Sequence, residues 1–327
     1  MTRARPPYDP ELQKILDTVL ADPPPPLDAE TLPGVRARAA AMYTPIGVVI
    51  EGTGLEHVEM TAPGTAGAPD VTLSVVRRPG RGEPAPCIYH VHGGGMVAGN
   101  RHLGARAFPR WVERFGVTVV SVEHRLAPEH PHPAPVEDCY TGLCWIVDHA
   151  AEIGIDASRI IIAGGSSGGG LAAGTALMAR DRGGPGLIGQ LLMCPMLDDR
   201  DATTSTRQYD GAGLWSRADN LFGWTALLGT ARGGADVPPY AAPARAADLG
   251  GLPPAYLDAG SAEVFRDEVV DYASRIWAAG GQAELHIWAG GFHGFAMMAG
   301  HTEVARLAQA AVDSWLTRLL GAGEYGY

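Results

Sequence analysis

The chain has 327 residues, 46% of them hydrophobic and 19% charged, enough apolar material for one sizeable buried core. Its 25 basic and 36 acidic side chains give a net charge of −11, and basic residues gather only at Arg3 and Arg5 and in the stretch 77–81, which excludes a nucleic-acid footprint. The single lysine, Lys14, sits in a polar N-terminal stretch, excluding a phosphate-loop lysine, a Schiff-base lysine and a Ser–Lys dyad.

Residues 8–20 (YDPELQKILDTVL) place Leu12, Ile15, Leu16 and Val19 on one helical face, with Asp9 as cap and Pro10 in the first turn. The proline run 23–26 breaks this helix, and 28–43 reads as a second one. The leader, residues 1–45, is therefore expected to be a helical cap segment over a catalytic domain spanning 46–327. HVEMTAP and DVTLSVVRRPG alternate like antiparallel strands. Short apolar runs follow (PCIYHVHGGG, VTVVSVEHR, RIIIAGGSSGGG, GQLLMCPML, PPAYLDAG, ELHIWAGG), alternating with helical patterns at 105–115, 135–151, 168–181, 266–279 and 303–320. Strands buried on both faces between helices predict an α/β fold with a mostly parallel sheet. The stretch 198–245 carries no strand signal and holds Trp215, Phe222 and Trp224, so a cap insertion over the sheet is expected at about 198–240. The N-terminus lacks the apolar core of a signal peptide, and no run approaches the roughly 18 to 20 apolar residues of a membrane span. The four cysteines, Cys87, Cys139, Cys144 and Cys194, lack zinc-type spacing and read as buried free thiols. A cytoplasmic enzyme without membrane contact is the expectation.

Gly164–Gly165–Ser166–Ser167–Gly168 is a G-x-S-x-G sequence between an apolar β-branched run and a small-residue helix. That strand–turn–helix setting pushes a serine hydroxyl above the sheet edge, whereas a dinucleotide-binding turn would need different glycine spacing and a downstream acid. Ser166 is thus the candidate nucleophile. His92–Gly93–Gly94–Gly95 ends an earlier strand, and backbone donors there could converge with the N–H of Ser167 on a tetrahedral oxyanion. His293, in the loop GGFHGF past the last strand, is the candidate base. For the triad acid, Glu263 comes first after the preceding strand; Asp267 and Glu268 open a helix, where a capping role suffices, and Asp258 lies within the strand. His90 with His92, or His124 with His130 and His132, could be imagined as metal ligands, but no acid or cysteine has matching spacing, so no metal and no cofactor are expected.

HGGG (92–95), EHRLAPEHPHPAPVED (123–138), GGSSGG (164–169), GLPPAYL (251–257), FRDE (265–268) and FHGF (292–295) together resemble the hormone-sensitive-lipase-like family of α/β-hydrolase esterases; PMLDDR (195–200), LWSRADNLFGW (214–224) and YAAPARAADL (240–249) look like bacterial heroin esterase and similar carboxylesterases. The resemblance runs from about residue 8 to the C-terminus. It implies an α/β-hydrolase sheet capped by the N-terminal helices and the insertion, with Ser166 as nucleophile and His293 as base. It also implies Gly94, Gly95 and Ser167 as oxyanion donors, Gly93 supporting their loop, and a possible homodimer. Three departures stand out. Gly165 and Ser167 flank the serine where the family has Asp and Ala; His124 replaces a tyrosine before RLAPE; Glu263–Val264–Phe265 replaces Asp–Pro–Leu.

The expected function is hydrolysis of short-acyl or aryl carboxylic esters through an acyl-enzyme, with a small-molecule ester as partner. A non-catalytic small-molecule receptor on the same scaffold, which would tend to lose the base, and an amidase or lactonase using the same triad are the other readings.

Overall fold

The apolar runs become one eight-stranded sheet whose strands lie in the order β1 (Glu56–Ala62), β2 (Val71–Arg77), β4 (Thr118–Val122), β3 (Ala85–Val91), β5 (Ile155–Gly165), β6 (Gly189–Met193), β7 (Ala255–Gly260) and β8 (Ala283–Trp288). β2 runs antiparallel to both β1 and β4, and every pairing from β4 through β3 to β8 is parallel. The structure, a computed structural model, describes residues 4–23, 25–65, 67–80 and 82–321; Arg3, Arg81 and Pro24 of the proline run lie outside them.

The helices, in chain order, are α1 (Pro10–Leu20), α2 (Leu32–Met42), α3 (Ile46–Val49), α4 (Phe108–Phe115), α5 (Ala134–Asp148), α6 (Ala150–Ile153), α7 (Ser167–Asp181), α8 (Thr204–Gln208), α9 (Arg217–Leu228), α10 (Arg266–Ala278), α11 (Phe295–Met298) and α12 (Glu303–Leu320). Strand alternation divides the sheet's side chains between two cores. On one face Tyr89, Val91, Val120, Ile162 and Leu257 pack under α5, α7 and α10; on the other Ile88, Val119, Ile161 and Leu191 pack under α4 and α12. β3 is buried along its whole length, while β8, at the sheet edge, is mostly half-buried.

Asp9 caps α1 as its sequence suggests, its Oδ1 accepting from Glu11 N at 2.8 Å and Leu12 N at 3.2 Å. The apolar stripe of α1 seats Leu12 and Leu16 in a third, smaller core with Phe292 and Phe295. Ile15 and Val19 are only half-buried. Each fully buried leucine contributes roughly 1.5–3 kcal/mol, so the start of the chain is bound firmly to the loop carrying His293.

The connection from β6 to β7 holds α8 and α9 and no strand. Ser216 and Asp219 form a reciprocal capping box that starts α9. Gly223 of α9 sits so close to the oxyanion loop that a Cβ there would come within 2.5 Å of Gly95 O, which presses this connection onto the C-terminal edge of the sheet.

Candidate active site

β5 delivers the chain to Ser166, which takes φ 57° and ψ −128° before α7 begins at Ser167. A side chain at positive φ is strained. The strain is held by backbone bonds on both sides: Ser166 N donates to Met193 O at 2.9 Å, and Ser166 O accepts from Met196 N at 2.9 Å. Gly168 must lack a side chain, because a Cβ would meet Val91 O at 2.3 Å and His92 O at 2.5 Å where α7 passes the end of β3. The Ser166 hydroxyl is thereby lifted above the sheet edge at the positive end of α7.

His293 lies past β8 with Nε2 3.0 Å from Ser166 Oγ and Nδ1 2.5 Å from Glu263 Oε2. The other oxygen of Glu263, Oε1, accepts from Gly260 N at 2.7 Å. The ring of Phe265 meets the imidazole edge-on at 5.0 Å. Burial pushes the imidazole's proton affinity down, but the neighbouring Cys194 and Glu263 outweigh it and the net shift is upward. The fold therefore brings Ser166, His293 and Glu263 into one hydrogen-bonded chain.

The other carboxylates stand elsewhere. Asp258 is buried on β7, where it accepts from Cys194 N at 3.1 Å and Trp288 Nε1 at 3.3 Å; burial pushes its pKa up to about 6. Asp267 and Glu268 do not cap their own helix, contrary to expectation. α10 has no side-chain cap, and both carboxylates turn outward to the connection above it. Asp267 Oδ2 accepts from Ser205 N at 2.7 Å, and Glu268 Oε1 accepts from Leu197 N at 2.7 Å. The physical reason is competition: the buried N–H groups that start α8 and follow β6 have no other acceptor in their own elements and claim these carboxylates.

The glycine loop 93–95 leaves β3 beside the serine. A Cβ on Gly93 would stand 2.7 Å from Gly165 O and 3.3 Å from the Ser166 Cβ, so this peptide and the nucleophile are in contact. Gly94 and Gly95 take φ 120° and 65°, a backbone path that favours glycine, and Ser167 is fully buried beside Ser166. Gly165, where the resemblance expects Asp, has only ordinary contacts at its Cβ direction, the nearest atom being Met193 O at 3.7 Å.

Three residues that sequence reading left without a role in the site support this loop, and a fourth stands beside the triad. His124 stacks on His92 with ring centres 3.9 Å apart and planes 9° apart, and its Nε2 lies 3.2 Å from His92 O. That carbonyl belongs to the peptide whose N–H is Gly93's, so His124 fixes the tilt of the loop's first peptide. Arg36 of α2 donates from Nε to Val97 O at 2.6 Å and from Nη2 to Ala127 O at 2.8 Å, while pairing with Glu129 at 2.7 Å. Trp215 closes over Gly95, where a Cβ would meet its ring at 2.2 Å. The fourth, Cys194, follows β6 at φ 39° and stands within 4.8 Å of Glu263 and His293. It is only partly shielded, as is Cys144; all four cysteines are free. The one available hint for Cys194 was topological: it opens the loop at the C-terminal end of a parallel strand, where sites on such sheets gather. Of the histidines imagined as metal ligands, His90 Nδ1 lies 3.0 Å from Ser121 Oγ, His124 stacks on His92, and His130 is exposed.

The α/β-hydrolase fold family matches residues 88–297. A carboxylesterase of Mycobacterium tuberculosis, NlhH, is 34% identical over 290 residues, 87% of this chain and 87% of that protein. Human hormone-sensitive lipase is 38% identical over 92 residues, 28% of this chain and 9% of its own length. Among solved structures, bacterial heroin esterase superposes with a TM-score of 0.86 at 39% identity, covering 96% of this chain and 98% of that one.

Proposed function

The chain belongs to the α/β-hydrolase fold family, in its hormone-sensitive-lipase-like branch, and on that footing we propose that Ser166, His293 and Glu263 hydrolyse carboxylic esters through an acyl-enzyme. The protein is a carboxylic ester hydrolase. The observation that carries the residue roles is the Glu263–His293–Ser166 hydrogen-bonded chain on a positive-φ turn.

His293 Nε2 takes the hydroxyl proton as Ser166 Oγ attacks the ester carbonyl. The imidazolium that forms is stabilised by Glu263, whose Oε1 is already held by Gly260 N–H. Negative charge on the tetrahedral oxygen is received by the N–H groups of Gly94, Gly95 and Ser167, aided by the start of α7. His293 then protonates the departing alcohol, and water releases the acid by the same steps in reverse. Glu263 in place of the usual Asp adds one methylene, and the Oε2–Nδ1 bond supports its reading as the triad acid.

The substrate class we assign is short-acyl or aryl esters, since Trp215 pressed on Gly95 narrows the space beside the oxyanion loop. We further assign a homodimer and a cytoplasmic setting: half-exposed Trp277 and Ile287 lie on α10 and the edge strand β8, and four free thiols suit a reducing compartment. A panel of p-nitrophenyl acetate, butyrate and octanoate with a matching anilide tests the activity. Esters should be cleaved fastest, with rates falling at octanoate. Ser166→Ala should lower kcat by roughly 10³-fold or more with the fold intact. Near-normal turnover by that variant would remove Ser166 as nucleophile, and a preference for the anilide would make the enzyme an amidase.

A further inference from the structure

Cys194 takes no part in ester hydrolysis as derived above, yet the fold fixes it at the triad. Its N–H is bonded to Asp258 O at 2.9 Å and to Asp258 Oδ1 at 3.1 Å, which pins the residue at the end of β6. One ligand atom each from Cys194, Glu263 and His293 lie within 4.8 Å of one another, the one such His/Cys/acid group among the described residues. A thiol, an imidazole and a carboxylate in that compass are the donor set of a borderline-soft cation, not of magnesium or calcium.

We propose that these three side chains form an inhibitory site for a thiophilic divalent cation such as zinc, bound by Cys194 Sγ, His293 Nδ1 and a Glu263 oxygen. Nδ1 is the ring atom available, because it already faces Glu263 at 2.5 Å while Nε2 faces Ser166 Oγ at 3.0 Å. On binding, the thiol releases its proton to solvent. An imidazolium loses its Nδ1 proton to solvent as well, whereas a neutral imidazole moves its hydrogen from Nδ1 to Nε2; either way the metal-bound ring is neutral with its one hydrogen on Nε2. No bond to carbon changes and nothing is oxidised or reduced. An imidazole carrying its hydrogen on Nε2 donates to Ser166 Oγ and has no lone pair there to accept the serine proton. Occupancy of the site therefore stops the chemical step outright.

The activity readout rests on the proposed role of His293; the binding readout does not. Metal-stripped full-length protein is titrated with zinc sulfate in a non-chelating buffer while hydrolysis of p-nitrophenyl butyrate is followed, each variant being normalised to its own metal-free rate. We expect kcat to fall to zero, KM to stay constant and EDTA to restore turnover. In Cys194→Ala and Cys194→Ser the half-inhibitory concentration should rise at least about tenfold, as loss of a ligand requires. Magnesium at a hundred times the zinc concentration should do nothing. Independently of activity, cobalt(II) should produce a thiolate charge-transfer absorption in the wild type and in Ser166→Ala, and none in Cys194→Ala. Equal zinc sensitivity of wild type and Cys194→Ala, or a cobalt spectrum unchanged by the cysteine substitution, overturns the site. Should the protein cleave no ester, the cobalt spectra decide alone.

Discussion

Glu263 is gripped at both oxygens, one by Gly260 N–H and one by His293, so its carboxylate cannot swing away from the imidazole. Glu263→Gln keeps the shape and loses the charge; kcat should fall by roughly 10³- to 10⁴-fold with KM little changed. Asp267→Asn, by contrast, should leave kcat intact and cost about 1 kcal/mol of stability through the bond to Ser205. Steady-state kinetics of the two variants side by side decides between the carboxylates. Cys194 and Glu263 together set a pH dependence at His293. A raised imidazole pKa keeps His293 protonated, and unable to act as base, to higher pH. The rising limb of kcat/KM should therefore lie above the ordinary imidazole range, and Glu263→Gln should move it downward in whatever activity remains. His124 offers a subtler test. His124→Phe preserves the stack on His92 but loses the approach of Nε2 to His92 O. With the glycine loop's first peptide released, kcat should drop by about tenfold, less than the loss of a whole oxyanion donor, while KM and melting temperature change little. An unaltered kcat would show that the stack alone holds the loop.

At the level of elements, the first turn of α10 is the anchor of the β6–β7 connection: Asp267 holds the start of α8 and Glu268 holds Leu197 and Asp198. Burial raises the Glu268 pKa well above the usual carboxylate range. A carboxyl whose pKa is raised by folding is held protonated in the native state, so its ionisation opposes folding increasingly as pH climbs above the unfolded value. Glu268→Gln keeps the acceptor oxygen and cannot ionise. Its melting temperature should exceed that of the wild type by a margin that widens from about pH 5 to pH 8. Glu268→Ala leaves two buried N–H groups without an acceptor and should cost about 2–4 kcal/mol near pH 5, a deficit that narrows as pH rises because alanine cannot ionise either. Denaturation at several pH values separates these outcomes. None of this was legible in FRDE as a string, because it depends on residues some 60–70 positions away. The strand–turn–helix at Ser166, the glycine turn after β3 and the apolar periodicities were legible for the opposite reason. In each, neighbours in the chain alone fix the backbone, so local sequence carries the information. His124, Arg36 and Cys194 escaped because their partners meet only once the sheet has assembled.

On the scale of the whole molecule, the leader touches both halves of the catalytic apparatus. α1 packs Leu12 and Leu16 on Phe292 and Phe295, either side of His293, while α2 sends Arg36 to Val97 and Ala127 beside the oxyanion loop. Removing residues 1–45 should uncover the apolar surface around Phe292, weaken substrate binding and promote aggregation. Light scattering and KM across acyl lengths measure this; a monodisperse truncated protein with unchanged KM throughout would separate the leader from the site. The α1 contact also has a temporal side. Leu12 and Phe292 stand at opposite ends of the sequence, so during synthesis the first helix leaves the ribosome long before the loop it will cover exists. Until then most of the small core around its leucines is missing, and the base loop, once made, closes on this waiting helix together with α12. Catalytic competence thus waits for His293 and its flanking phenylalanines, and a nascent product that stops short of them carries the nucleophile without the means to use it.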